Sequence, residues 1–462
     1  MSEEIEVRNP YDGSVVGRVP LAGSAAFDRA ADAAVAGAAR MAKLPVHERA
    51  AILMRVSAAI AADRDAIART LAAEAGKPLK DALVETDRAT MTFQVAAEEA
   101  RRLSGDVIPM DLAPHGEGRI GLVRRFPIGP IAAISPFNFP LNLSAHKLGP
   151  AMAAGNSIVL KPATKTPLSA LTLGRLLNDA GAPEGAVQVL PMSRDVGDRL
   201  VTDDRFRLLT FTGSSPVGWA MKARAGRKKV ILELGGNAGV IVNDDADVTF
   251  AAKRVAAGGF GYAGQSCISV QRVYVHDRVF DAFAAALTDL VEKLTTGDPL
   301  DPVTDVGPMI DESEAERIDA WVKEAVAAGA RVLTGGRRLG GAVYAPTVMT
   351  DVPFDAKLCA EEVFAPLVGL YRISSLDEAI AEVNRSRFGL QAGLFTRDLP
   401  GTLLAYDALE VGGVIVNDVP TWRIDHMPYG GVKESGLGRE GPRYTIDEMT
   451  EPKLLVINRT TS

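Results

Sequence analysis

The sequence predicts an α/β protein of two doubly wound, mainly parallel domains, on three observations. Short apolar strand-like runs alternate with helical stretches in two separate series, one opening near residue 128 and the other near 246. The stretches between consecutive runs have crossover length, which sets neighbouring strands parallel and covers both faces of a sheet. At 462 residues the chain is long enough for about three domain-sized units, and its 47% hydrophobic and 24% charged content is that of a globular protein.

The first hundred residues read as helical. Phe27, Ala31, Val35 and Ala38 recur at helical spacing in a helix over 24–44, with Ser24 as its cap. Ile52, Val56, Ile60, Ile67 and Leu71 mark one side of a second helix over 46–75, which Gly76 and Pro78 stop. A third helix runs over 80–104 and ends at Gly105. RIGLVRRF (119–126) then reads as a short strand whose charged pair suits an exposed edge. In the first α/β series, IAAIS (131–135) precedes a helix over 141–154 and SIVLKP (157–162) precedes one over 168–180. VQVL, RLLTFTG, KKVILELGG and GVIVN come next. The second series carries VYVH (273–276), ARVLTG (330–335), VFAPLVGLYRI (363–373) and GGVIVN (412–417).

Composition narrows the function. Lys and Arg total 51 against 58 Asp and Glu, a net charge of −7 with pI near 5.5, which argues against nucleic acid or an anionic membrane as partner. The opening MSEEIEVRNP is acidic and has no apolar core of the kind a secretory leader needs. The uncharged run over 126–145 contains four prolines plus Asn138 and Asn142, so it reads as a buried strand and loop, not a span through lipid. Two cysteines cannot make a disulfide framework and fit a reducing cytoplasm, each as a core residue or a reactive thiol.

Several motifs carry chemistry. GFGYAG (259–264) matches a dinucleotide fingerprint in letters only, because the segment before it is helical in pattern and the motif requires a strand there. RLLTFTG is a better phosphate turn: an apolar strand ends at Gly213 and Ser214, and Val217 and Gly218 open a helix. Cys267, in GYAGQSCISVQR, lies between glycines and a strand, a setting that suits a nucleophile and an inert buried thiol alike. Cys359 precedes two carboxylates, which disfavour a thiolate, and reads as structural. Glu233 ends an apolar strand before a Gly-Gly turn, the position of a cap, an ion pair or a general base. Asn138, held between prolines in SPFNFP, offers an amide that can donate to an oxyanion.

Together these segments resemble the aldehyde dehydrogenase superfamily over nearly the whole chain. The resemblance rests on PFNFP (136–140), KPATKTP (161–167), FTGSSPVG (211–218), ELGG (233–236), GQSC (264–267), EEVFAP (361–366) and PYGGVKESGLGRE (428–440), in the family's order. It implies an aldehyde dehydrogenase-like fold, two doubly wound α/β domains plus a small β oligomerisation arm. A cofactor-binding domain would comprise 1–113 and 127–234, a catalytic domain 235–427, and a bridging oligomerisation segment 114–126 with 428–462. A homodimer or homotetramer is the implied assembly. The implied cofactor is NAD or NADP, and the implied substrate is a small aldehyde.

The resemblance also implies roles. Cys267 would attack the aldehyde to give a thiohemiacetal, Asn138 with the Cys267 backbone N–H would hold the oxyanion, and hydride transfer would leave a thioester. Glu233 would activate the water that releases the acid; branches that pass the acyl group to coenzyme A lack a base there. Pro136, Phe137, Lys161, Thr164, Gly213, Ser214, Val217, Gly218, Glu362 and Phe364 would line the cofactor. Many NAD-preferring members have Glu where this chain has Thr164, so NADP is admitted, with Lys165 as a candidate aid. The segments 136–151 and 419–441 look like the lactaldehyde dehydrogenase branch and its relatives acting on phosphonate-, sulfonate- or phosphate-bearing aldehydes. His146, Arg423 and His426 would then attract an anionic or hydroxylated aldehyde. Alternatively, Arg423 pairs with Asp425 and His146 is a core residue. No histidine has metal-ligand spacing. A cofactor-free cysteine esterase is the competing enzyme class.

Overall fold

The structure is a computed structural model and describes residues 4–459. Expectations that touch positions 1–3 and 460–462 lie outside the described residues. Two α/β units and a small antiparallel sheet make up the fold, and no helix among the described residues is long and apolar enough to cross a membrane.

The first unit has a six-stranded sheet in the order Gly436–Leu437, Lys229–Glu233, Leu208–Thr212, Ile131–Ile134, Ile158–Lys161, Val187–Val189. All pairs are parallel except the first. Its strands are almost wholly apolar, as a sheet covered by helices on both faces requires. The second unit has a seven-stranded sheet, in order Arg331–Thr334, Thr347–Thr350, Leu367–Ile373, Val270–His276, Ala238–Val242, Gln391–Phe395, Gly413–Val416. Only its first pair is antiparallel. GVIVN therefore sits within the second sheet, not at the end of the first.

Several expectations change. The amino-terminal region is not all helix: Glu4–Arg8 and Val15–Pro20 pair as an antiparallel hairpin. The first helix is Ser24–Met41 with Gly23, not Ser24, at the cap, and Ala30, Ala34 and Met41 join Phe27 and Ala31 on the buried face while Val35 is exposed. So many alanines leave little contrast between its two faces. The helix expected over 46–75 is two, Val46–Ala62 and Arg64–Ala75, broken at Asp63. Its five marker residues are all buried, so one apolar stripe continues across the break and hides it. Gly76 ends the second helix with φ +66°, a left-handed stop.

The β arm differs most. Arg119–Pro127 is the middle strand, between Asp106–Ile108 and Thr450–Asn458, and not an exposed edge. The outer position falls to Thr450–Asn458, where Leu454 and Leu455 are 52% and 55% exposed. The arm sheet also begins before residue 114. Of the segment 428–462, Gly436–Leu437 pairs with Lys229–Glu233, and Pro442–Glu448 packs on the helices Leu79–Arg102 and Asn142–Ala154.

Candidate active site

The two large sheets present opposite strand ends to one crevice. The six-stranded sheet contributes residues at or just past the carboxyl ends of its strands: Pro136, Phe137 and Asn138 after Ile131–Ile134, Thr164 beyond Lys161, Gly213 and Ser214 after Leu208–Thr212, and Glu233 itself. Strand order reverses between Ile131–Ile134 and Leu208–Thr212, the place where open α/β sheets bind ligands. The seven-stranded sheet contributes residues ahead of its strands: Gly235 before Ala238–Val242, Cys267 before Val270–His276, Glu362 and Phe364 before Leu367–Ile373.

Cys267 is carried by an unusual turn. The helix Val248–Phe260 runs into GFGYAG, so the fingerprint there is indeed no nucleotide loop. Tyr262, Ala263 and Gly264 then take left-handed conformations in succession, with φ of 49°, 52° and 68°. Two of these are not glycine, a strained arrangement of the kind found at functional sites. Close approach is obligatory nearby: a Cβ at Gly264 would lie 2.1 Å from the Ala365 carbonyl oxygen, and one at Gly236 would lie 2.1 Å from that of Cys267.

Cys267 lies on the wall of two cavities, one of about 630 Å³ and one of about 180 Å³, which share only Cys267 and Leu143. Its Sγ is 2.9 Å from the Tyr429 hydroxyl. Burial pushes the thiol up to about 12, opposed by the Tyr429 hydrogen bond and reinforced by Glu362 and Glu233. The buried Asn138 amide lines the larger cavity and donates from Nδ2 to the Gln265 carbonyl at 3.0 Å, which leaves it a second N–H.

Glu233 lines the same cavity, and neither of its carboxylate oxygens has a hydrogen-bond partner. Burial, with repulsion from Glu440, raises it well above the ordinary carboxylate range. Burial pushes Glu440 the same way, but His146, Lys147 and Arg423 hold it low. Lys147, missed in the sequence, stands 3.8 Å from Glu440 and donates to Thr210 and Thr212. Cys359 is buried in the short helix Lys357–Ala360, away from both cavities.

The larger cavity brings together Pro136, Phe137, Lys161, Thr164, Gly213, Ser214, Val217, Glu362 and Phe364. Phe137 and Phe364 meet edge to face at 5.8 Å. The residues fit a dinucleotide. Backbone at 213–214 opens the helix Ser215–Arg224, whose free N–H groups suit a diphosphate. The Glu362 carboxylate, which accepts from the Gly236 N–H at 3.0 Å and which burial pushes up to about 7, suits ribose hydroxyls. A Cβ at Gly197 would strike the Lys161 side chain at 2.6 Å, so the lysine depends on a bare backbone beside it. Two expectations fail. Gly218 does not line the cavity; it lets its helix pack on Leu234, where a Cβ would come within 2.4 Å. Lys165 is not on the wall either, because it is paired with Asp311. Arg194 and Arg317, missed in the sequence, supply the cavity's other cations, and Arg194 joins burial in lowering the Lys161 amine. They lie in segments without a motif, and only the fold brings them there.

The smaller cavity is basic on balance, with Lys77, Arg88 and Arg423 against Asp81 and Glu85. Arg423 does line it, but its partner is Glu440 at 3.2 Å, not Asp425, and its guanidinium stacks on the Tyr429 ring. Asp425 instead takes Arg88 as a two-toothed partner, with His146 Nε2 at 2.8 Å and the Asn142 amide at 3.0 Å. His146 is therefore fully buried behind the wall and lines neither cavity; it braces Asp425, which orients Arg88. His426 is exposed on the turn beyond and also lines neither.

Known proteins agree with this geometry. A family profile described as "Aldehyde dehydrogenase family" matches residues 1–455. A 3-sulfolactaldehyde dehydrogenase of Priestia aryabhattai is 45% identical over 99% of this chain and 95% of its own. Aldehyde dehydrogenase 21 from Physcomitrella patens, solved with the reaction product succinate, superposes with a TM-score of 0.97 at 49% identity, covering 100% and 96% of the two chains. A glyceraldehyde-3-phosphate dehydrogenase from Methanocaldococcus jannaschii, complexed with NADP, does so at 0.95 and 38% identity, covering 99% of each.

Proposed function

The chain belongs to the aldehyde dehydrogenase family, and from that premise we propose that it oxidises a small anionic aldehyde to the free carboxylate, with NADP preferred over NAD. The observation that carries the reading is the position of Cys267 on the wall of both cavities, with Asn138 and Glu233 lining the larger.

The aldehyde reaches Cys267 through the small cavity; the thiol gives up its proton to solvent, and the thiolate attacks the carbonyl carbon, whose π electrons move onto oxygen. The oxyanion forms against the Asn138 amide and the Cys267 backbone N–H; one such donor is worth about 3–4 kcal/mol in the transition state. A nicotinamide cofactor held along Lys161, Glu362 and the 213–214 backbone would supply the hydride acceptor, and loss of the aldehydic hydride from the adduct would leave the acyl group on Cys267 as a thioester. Glu233, with no partner of its own and a raised proton affinity, takes the proton of the water that hydrolyses it. A base there supports release of free acid over transfer to coenzyme A.

Cofactor preference follows from charge. Thr164 presents no carboxylate to repel a 2′-phosphate, while Lys161 and Arg194 put two cations on the same wall. The NADP complex of the archaeal relative is in keeping with this. For the aldehyde, Arg88 and Arg423 favour a carboxylate or sulfonate, and about 180 Å³ admits only a few carbons. Hydroxylated and sulfonated lactaldehydes and succinic semialdehyde meet that description, in keeping with the relatives' chemistry. The outer strand Thr450–Asn458, with its exposed leucines, supports a homodimer or homotetramer joined through the arm. Two free thiols suit the cytoplasm.

The test is a panel of lactaldehyde, sulfolactaldehyde, succinic semialdehyde and neutral propanal with each cofactor, read by the near-ultraviolet absorbance of reduced nicotinamide. Anionic aldehydes with NADP are expected to lead in kcat/KM, and Cys267→Ala to abolish every rate. Turnover that survives Cys267→Ala would end the reading.

A further inference from the structure

The sulfur of Cys267 has one neighbour to which no role was assigned from the sequence. The Tyr429 hydroxyl lies 2.9 Å from Sγ, and the tyrosine is 4% exposed. Its ring is fixed from several directions. The Arg423 guanidinium stacks 3.7 Å from the ring centre, and Ile268 and Leu390 pack with it in one apolar cluster against Cys267. Its backbone exchanges two hydrogen bonds with Glu440, at 3.0 and 2.6 Å. A hydroxyl on so constrained a ring has the sulfur as its partner and little freedom to leave it.

We propose that the Tyr429 hydroxyl is a catalytic hydrogen-bond donor to Cys267, which holds Sγ at the junction of the two cavities and stabilises the thiolate that attacks the aldehyde. The inference rests on Cys267 as nucleophile. Between a neutral thiol and a neutral phenol either group can donate. Once the sulfur loses its proton to solvent only the phenol can, so the bond strengthens as the thiolate forms. The other charged groups around the sulfur divide: Glu362 and Glu233 oppose ionisation, and Arg423 favours it. When the carbon–sulfur bond forms the sulfur is no longer anionic, the hydrogen bond weakens, and nothing ties the intermediate to the ring.

Tyr429→Phe isolates the hydroxyl, because the phenyl ring keeps the stack on Arg423 and the apolar cluster. The measurement is the rate of iodoacetamide alkylation at Cys267 against pH, in which sulfur bonds to carbon as iodide leaves. Peptide mass spectrometry counts Cys359 separately. Tyr429→Phe is expected to displace the profile to higher pH and to slow alkylation about tenfold near neutrality, the usual worth of a hydrogen bond to a charged group. kcat should fall by a similar factor with KM for the aldehyde little changed. Replacing Tyr429 with 3-fluorotyrosine, a more acidic donor, should displace the profile the other way, and this arm decides alone if Tyr429→Phe does not fold. Coincident profiles, or movement in the same direction for both, would overturn the proposal. Alkylation needs no turnover, so a mistaken nucleophile would show separately, as activity surviving Cys267→Ala.

Discussion

The two cavities that meet at Cys267 are built in opposite ways. The larger takes its walls from short contiguous segments at the ends of parallel strands, where one stretch of chain supplies both the strand and the group it presents. The smaller is assembled from side chains far apart in sequence: Lys77 from the loop after the helix Arg64–Ala75, Arg88 from the helix Leu79–Arg102, Tyr262 from the strained turn, Arg423 and Tyr429 from near the carboxyl end. Under the proposed function, backbone geometry would fix the cofactor side, whereas tertiary packing of long side chains would tune the aldehyde side. Changes to one cavity should therefore leave the other's affinity alone, and three substitutions test that separation.

Asn138→Ala should have the largest effect. Losing an oxyanion donor lowers kcat by roughly 10²- to 10³-fold. Because the amide serves the reacting carbon, steady-state kinetics should find KM for NADP nearly unchanged. A rise in that KM matching the loss in kcat would mean that Asn138 holds the cofactor side together.

Thr164→Glu acts on the larger cavity alone. A carboxylate beside Lys161 and Arg194 should raise KM for NADP roughly tenfold or more and improve NAD, while KM for the aldehyde stays put. If NADP binding is indifferent to the change, the 2′-phosphate does not lie there.

Arg88→Gln tests the smaller cavity and should have the mildest effect, since Arg88 is partly exposed and already paired with Asp425. We expect KM for an anionic aldehyde to rise roughly fivefold to tenfold, with propanal and NADP unaffected. An equal rise for propanal would indicate a lost packing contact instead of a lost charge.

The same contrast explains what could be read from the sequence. PFNFP, ELGG and GQSC each place a reactive side chain on a strand end or a tight turn, so Asn138, Glu233 and Cys267 were legible before any fold was known. The residues expected at the cofactor followed from the resemblance, apart from the turn at Gly213, Ser214, Val217 and Gly218, and all but Gly218 line the larger cavity. Gly218 misled because a glycine in a phosphate-turn motif serves packing as readily as ligand approach. His146 and His426 misled because a histidine near a site shows nothing of which way it points: one is buried against Asp425 and the other faces out. Arg88 and Arg194 carried no local signal at all, and Tyr429 lay within the PYGGVKESGLGRE motif without a role that the motif alone could give it. Among the elements, Leu79–Arg102 and the parallel strands were clear from periodicity. The Asp63 break was hidden by a continuous apolar stripe, and the amino-terminal hairpin by the helical reading of its neighbours.

The central claim is that an acyl group passes through Cys267 and leaves by water activated at Glu233. Glu233→Gln removes the base but keeps the nucleophile, the oxyanion donor and both cavities. Mixed with an accepted aldehyde and NADP, it should release about one equivalent of reduced cofactor per subunit and then stall. Mass spectrometry should find the acyl group on Cys267 and none on Cys359. Continued turnover at the wild-type rate, or a burst with no adduct at Cys267, would contradict the account.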